Sequence, residues 1–290
     1  MQRSVLVVVS DPTGGTPDAF AVADIQQPQV SVLDSGITRG DGIFETVAVF
    51  DGRVSGLEAH LARFAGSARL LDLPTPSATL WRRACGAALE RLEPTPEATL
   101  RLVMTRGAGD GGAHGWVIAA ASADHTAVRR DGVRVVLLER GIPRDSPANA
   151  PWLLVGAKTL SYAINAAALR EAARRGADDA VFVSSDGFLL EGPTSSLLYR
   201  SGTRMGSPAT GATLAGTTQF ALFDWARQHG MSAGTDDITP DGLRATDAAW
   251  LVSSGRLAVP IREIDGHAHP VDHTLTGVMN DWLRSAATPE

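Results

Sequence analysis

Two spacings of apolar residues alternate along this 290-residue chain: every second position in some stretches, every third or fourth in others. The first spacing belongs to strands with one buried face, the second to amphipathic helices. The stretch "GIFETVAVFDGRVS" reads as two strands around an Asp51-Gly52 turn. The following "GLEAHLARFAGSARLLDL" reads as a helix with Leu57, Leu61, Phe64 and Ala68 on one face. Another helix is expected over about 79–92, then a hairpin of "ATLRLVMTRG" and "GWVIAAAS" around the glycine-rich "GAGDGGAHG". The polar "SADHTAVRRDG" at 122–132 lacks clear periodicity and marks a domain boundary. Beyond it come a strand at 133–138, a segment that becomes helical before Gly176, and a strand pair turning at Asp186-Gly187. Helices are expected near 217–229 and 273–285, with the strand-rich "AAWLVSSGRLAVPI" between them. Strands and helices mix without a regular βαβ rhythm. The fold class expected is therefore α+β, in two domains, residues 1–124 and 125–290.

A hydrophobic content of 44% with 20% charged residues is enough for a core without covalent staples. Cys85, the single cysteine, excludes an internal disulfide and a thiolate metal cluster. A net charge of −6 and dispersed arginines argue against nucleic acid or an acidic membrane as partner. The early apolar run "SVLVVVS" is shorter than a signal-peptide core, and no stretch has the length of a membrane helix. A cytoplasmic protein without membrane attachment is expected.

Of 26 basic Lys and Arg residues, only Lys158 is a lysine. Codon bias toward arginine accounts for the depletion, because a guanidinium serves equally well as a solvated charge. It cannot replace an amine as nucleophile: arginine stays protonated, whereas a shielded lysine can lose its proton and form an imine. Lys158 follows the apolar "WLLVGA" and precedes an Ala-, Ile- and Leu-rich helix, a setting that shields the amine and lowers its pKa. Tyr162 lies four residues on, where a helical turn would bring it onto the same face. The "GAKT" here is not the end of a P-loop, because "APWLLV" before it lacks the glycine cradle.

Lys158 with "TLSYAINAAALREA", then "DGFLLEGPTSSLLY" and "LAGTTQ", resembles the fold-type IV pyridoxal-phosphate enzymes. These form the class IV aminotransferase family, which includes branched-chain and D-amino-acid aminotransferases and aminodeoxychorismate lyase. The upstream "RGDGIFETVAVFDGRVSGLEAHLARF" is similar to the family's opening strand pair and helix. Order and spacing agree from about residue 34 to 261. The resemblance implies a two-domain fold, pyridoxal 5'-phosphate as cofactor, and a homodimer. It implies that Lys158 binds the cofactor as an imine and then acts as general acid and base. Glu191 would face the pyridine nitrogen and keep the ring protonated. Arg63 would bind the phosphate, which suits a planar guanidinium. Gly216, Thr217 and Thr218 would offer backbone N–H groups and a hydroxyl to the same phosphate; a helix starting at 217 points its positive end there. Ser254, with Gly255, resembles a later phosphate-side loop, and Tyr162 a tyrosine bonded to the ring oxygen. The chain departs from the family at Ser196, often Asn, and at Gln219, usually Arg.

The reaction is read from the substrate side. D-amino-acid aminotransferases carry an Arg-x-His carboxylate trap after "TRG"; here His114 is present, but Gly112 stands at the arginine position. "GDGIFET", with Thr46, looks more like the lyases. Arg101 and Arg106 are the candidates for holding a substrate carboxylate. A histidine-rich "DGHAHPVDH" brings His267, His269 and His273 together with Asp265 and Asp272, yet the implied chemistry needs no metal and none is expected. A catalytically idle metabolite binder is disfavoured by the presence of both Lys158 and Glu191. The reading is a pyridoxal-phosphate enzyme acting on a small amine and carboxylate substrate. The foremost activity is 4-amino-4-deoxychorismate lyase, releasing pyruvate and forming 4-aminobenzoate for folate biosynthesis. The alternative is a branched-chain or D-amino-acid aminotransferase with a keto-acid acceptor.

Overall fold

Apolar alternation in the N-terminal part builds an antiparallel sheet of six strands: β1 (Ser4–Val9), β2 (Phe20–Ala23), β3 (Gly42–Phe50), β4 (Arg53–Val54), β5 (Glu97–Thr105) and β6 (His114–Ala121). Their spatial order is β2-β1-β6-β5-β3-β4. The computed structural model describes residues 2–16, 19–209 and 211–287. The expected β3–β4 hairpin turns at Asp51 and Gly52, with φ of 48° and 75°. Two positive φ values in succession match the right-handed twist of the flanking strands. A short helix α1 (Ser35–Arg39) is capped by Asp34, whose Oδ1 accepts from the Gly36 amide at 2.6 Å. Helices α2 (Leu57–Leu70) and α3 (Ala78–Leu89) cover one sheet face, α2 against β3 and α3 against β1 and β6. That face is a continuous apolar layer of Val5, Val7, Ile43, Val47, Leu100, Leu102, Met104 and Val117, all buried. Leu57, Leu61, Phe64 and Ala68 of α2 close it, as their spacing predicts.

The chain divides into two compact units: Met1–Ala123 with Ala157–Tyr162 and Ala286–Glu290, and Asp124–Gly156 with Ala163–Ser285. Lys158 is expected within the C-terminal domain, residues 125–290, whereas its segment packs with the first unit. The cause is backbone pairing. Lys158 O accepts from Phe44 N at 3.0 Å and Leu160 N donates to Gly42 O at 2.8 Å, around an antiparallel bridge between Ile43 and Thr159. Residues 158–160 thus run along the β3 edge instead of entering a helix, and the one-turn relation expected between Lys158 and Tyr162 does not form.

In the second unit, α4 (Thr126–Asp131) occupies the stretch read as an irregular bridge. It leads into β7 (Val133–Glu139), the one-turn α5 (Ser146–Asn149), α6 (Ala163–Arg174) and β8 (Asp179–Val183). Then follow β9 (Ser196–Ser201), β10 (Arg204–Pro208), α7 (Thr217–Gln228), β11 (Ser232–Asp236), α8 (Pro240–Arg244), β12 (Ala248–Ser253), β13 (Leu257–Ile264), β14 (His267–Ala268) and α9 (His273–Ser285). The sheet order is β11-β10-β9-β12-β13-β7-β8, with β14 on β13. Strand β7 pairs in parallel with β13 and β8, as does β10 with β11; the remaining pairs are antiparallel. Val133, Val181, Leu197, Leu251, Val259 and Ile261 form its main buried cluster. The expected strand pair around Asp186-Gly187 becomes β8 and a single bridge, Val183 to Leu189. This mixture of strand directions and helices is the α+β class. Among the described residues no helix is long and apolar enough to cross a membrane.

Gly115 is a tight joint of the first core. A Cβ there would lie 2.2 Å from the Val103 carbonyl oxygen and 2.8 Å from the Trp81 ring. Backbone on one side and a fully buried indole on the other leave no room to yield. Gly115→Ala is expected to lower stability by about 1–3 kcal/mol, read from urea unfolding midpoints.

Candidate active site

In the first unit the site is built from one helix face, one strand and the lysine segment. Helix α2 places His60, Arg63 and Ser67 one turn apart each. Ser67 Oγ accepts from the Lys158 amide at 3.0 Å. Lys158 is therefore fixed through its backbone on both sides, by Ser67 and by the Phe44 amide. Its half-buried side chain carries Nζ 4.5 Å from the centroid of the Phe44 ring. Tyr162 meets the same ring edge-on, centroids 5.5 Å apart at 84°. Lys158 and Tyr162 do share a neighbourhood, but through Phe44 rather than a helical turn.

Glu45, next along β3, points to the opposite, buried face and is 0% exposed. Its Oε1 accepts from Arg63 Nε and its Oε2 from Arg63 Nη2, both at 2.7 Å; Oε2 also lies 2.7 Å from His60 Nδ1. Burial works against this carboxylate, but hydrogen bonds from Arg63 and His60, with the Arg63 charge, outweigh it and lower its pKa from 4.5 to about 2. Burial also pushes His60 below 6.5; Glu45 pulls the other way, while Arg63 and Lys158 add to the fall. At neutral pH the imidazole is uncharged and its Nδ1–H donates to Glu45.

The proposed substrate arginines separate clearly. Arg101 on β5 is exposed, stands opposite the half-buried Thr46 of β3, and holds its guanidinium carbon 6.0 Å from the Phe44 centroid. Arg106 is engaged structurally: Nε and Nη2 bond Asp41 at 2.7 and 3.2 Å, and its terminal nitrogens bond the carbonyls of Leu71 and Asp72. His114 is also held, with Nε2 3.4 Å from buried Asp34, whose Oδ2 accepts from Thr105 Oγ1. Gly112 adopts φ 75° and ψ 172°, a conformation essentially confined to glycine. An arginine trap at that position is thus excluded by the backbone.

In the second unit, half-buried Glu191 lies across from Phe182 of β8, whose amide donates to the Glu191 carbonyl at 2.9 Å. Both Glu191 carboxylate oxygens lie 3.1 Å from the Leu214 amide, so a backbone group orients the anion. Gly216 is the N-cap of α7 and has no side-chain capping bond. The first-turn amides of Thr217 and Thr218 point out of the helix end. Gly216 is needed for close packing: a Cβ would stand 2.2 Å from Ser196 Oγ. Ser196 and Gln219, the two departures from the pattern that the chain resembles, thus both line this helix start and are buried. The turn bearing half-buried Ser254 is braced by Arg129, which donates to the carbonyls of Gly255 and Arg256 at 3.1 and 3.0 Å. Arg256 in turn bonds buried Asp179 at 2.7 Å and Thr194 Oγ1 at 3.2 Å. Among the histidines read as a possible metal cluster, His269 bonds Thr246 Oγ1 and the Leu243 carbonyl. No group of three potential ligands for a metal occurs among the described residues.

Residues 42–264 match the family model described as amino-transferase class IV. The chain belongs to that family. It is 41% identical over 262 residues to a bifunctional aminodeoxychorismate lyase / D-amino acid transaminase of Mycobacterium tuberculosis, covering 85% of this chain and 91% of that one. A fold IV-transaminase from Curtobacterium pusillum superposes with a TM-score of 0.94 at 46% identity, covering 98% of both chains. A hypothetical aminotransferase from Mycobacterium tuberculosis in its PLP-bound form gives 0.88 at 37%, covering 97% of this chain and 98% of that one. This class IV aminotransferase has the fold-type IV architecture and is an enzyme of the aminotransferase and lyase group.

The donor set of the chain suits pyridoxal phosphate. The first unit offers an amine anchored through its backbone and a guanidinium held by a carboxylate; the second offers a carboxylate held by an amide and a helix start with closely packed glycine. Sequence reasoning missed Glu45, His60, Ser67 and Phe44. The three-residue step from His60 to Arg63 and the polar Glu45 between apolar Ile43 and Val47 were the available signals.

The acid sensitivity of this cluster has a definite sign. Unfolded His60 gains a proton below 6.5 and unfolded Glu45 near 4.5, whereas the native state resists both. The stability they contribute is complete above about pH 6.5 and declines as pH falls; the Glu45 part is lost between 4.5 and about 2. Urea midpoints followed from about pH 8 to about pH 3 are expected to fall, with a flatter profile for Glu45→Gln.

Proposed function

We propose that this class IV aminotransferase is a pyridoxal 5'-phosphate-dependent 4-amino-4-deoxychorismate lyase, yielding pyruvate and 4-aminobenzoate in folate biosynthesis. The observation carrying this reading is the 41% identity, across 85% of the chain, to the Mycobacterium tuberculosis protein that bears the lyase activity in its name. The bound cofactor supplies an electron sink for the carbanion formed at the substrate carbon. Lys158 Nζ takes the proton from that carbon and serves as proton donor later; its backbone anchors at Ser67 and Phe44 keep the amine in register. Glu191, oriented by the Leu214 amide, would face the ring nitrogen of the bound cofactor. Tyr162 would bond the ring oxygen. Arg63 would bind the phosphate, as would Gly216, Thr217, Thr218 and Ser254. Arg101 binds the substrate carboxylate beside Thr46, because Arg106 and His114 are already committed to Asp41 and Asp34. The enzyme works as a cytoplasmic homodimer; the exposed apolar side chains of Val32, Leu33 and Ile37 support a covered surface there.

A second activity, D-amino-acid transamination, is favoured by the same relative's second name. Gly112 removes the usual trap, so Arg101 would serve that substrate carboxylate as well.

Purified protein incubated with aminodeoxychorismate, with and without a keto acid, decides between the two. Pyruvate and 4-aminobenzoate formed without acceptor support the lyase, and turnover strictly requiring a keto acid supports transamination. Lys158→Ala is expected to lower kcat at least about 100-fold. Arg101→Ala is expected to raise KM about 10-fold or more, while Arg106→Ala lowers thermal stability and changes KM little.

A further inference from the structure

Two buried groups of the first unit have no part in the chemistry above. Glu45 and His60 are 0% and 2% exposed, and neither is placed at a reacting atom. We propose that they form a clamp that orients Arg63 as a receptor for a phosphate monoester, which makes Glu45 a positioning residue for the phosphate end of the cofactor. The inference rests on the cofactor reading proposed above.

The geometry is that of a held tool. Glu45 engages one edge of the guanidinium, Nε and Nη2, in two parallel bonds of 2.7 Å. Such a fork sets both the position and the plane of the ion. His60 braces the carboxylate from the other side through Nδ1 at 2.7 Å, and it comes from the same helix face one turn before Arg63. The Arg63 side chain is only 13% exposed, so its aliphatic stem is also confined. A buried ion pair is often no more stabilising than apolar residues of similar size, so stability alone is a weak reason for building one here. Orientation is the stronger reason. An arginine fixed before the ligand arrives loses little rotamer freedom on binding.

The opposite reading has the opposite sign. Were Glu45 only a counter-charge, its removal would make the site more positive and tighten phosphate binding. The test uses apo-protein titrated with pyridoxal 5'-phosphate and with pyridoxal, which has the aldehyde but no phosphate. Binding is followed by absorbance and tryptophan fluorescence, and folding by circular dichroism. Glu45→Gln is expected to weaken pyridoxal 5'-phosphate at least about tenfold and pyridoxal by less than about twofold. His60→Leu is expected to lower the same discrimination, and His60→Asn, which keeps an N–H near the Nδ1 position, to restore it. Unchanged or tighter phosphate-dependent binding by Glu45→Gln overturns the clamp, as does an equal loss for both aldehydes. Should Glu45→Gln fail to fold, the His60 pair decides by the same criterion. Wild-type protein that takes up neither aldehyde overturns the cofactor reading and the clamp with it; normal wild-type discrimination with an insensitive variant overturns the clamp alone.

Discussion

Backbone hydrogen bonds between residues 158–160 and the edge of β3 tie the lysine to the first unit. Strand β3 is a rigid reference because it is paired along its whole length with β5. Its alternation then sorts functions by face. Phe44 and Thr46 stand on one side with Arg101, while Glu45 enters the helix-covered side with His60 and Arg63. A shift of one residue in this pairing would exchange the two sets. The contact of Lys158 Nζ with Phe44 and the amide bond to Ser67 both presuppose that register.

The two carboxylates singled out by the structure are held by different means. Glu45 has no solvent and is kept ionised by a guanidinium fork and an imidazole, strongly enough to overcome desolvation. Glu191 is half-buried and receives a backbone amide on both oxygens. An amide cannot change rotamer, so it orients the anion without adding charge. Around the Ser254 turn the same economy appears in reverse, with Arg129 donating to two carbonyls and Arg256 tying the turn to Asp179 and Thr194. Arginines that sequence patterns leave anonymous become structural fasteners here.

Side chains that sequence pattern offers for substrate binding differ in what already holds them. Arg106 is spent on Asp41 and two carbonyls at the end of α2, and His114 leans on Asp34. The glycine at 112 has a backbone that side chains rarely adopt. Arg101, by contrast, stands exposed on β5 near the Phe44 ring.

Much was legible from local pattern. The hairpin at Asp51-Gly52, the buried stripe of α2, and helices α7 and α9 all follow from residue order, because periodicity and turn chemistry are local properties. The lysine's membership of the first unit was not legible, nor was the Glu45–His60–Arg63 cluster. Those depend on pairings across 114 and 18 positions, Phe44 to Lys158 and Glu45 to Arg63, which helix and strand periodicity do not encode. The sequence by itself determined which groups could do the chemistry. Tertiary structure decided which of several arginines and carboxylates were already neutralised, because burial and partner choice exist only once distant segments meet.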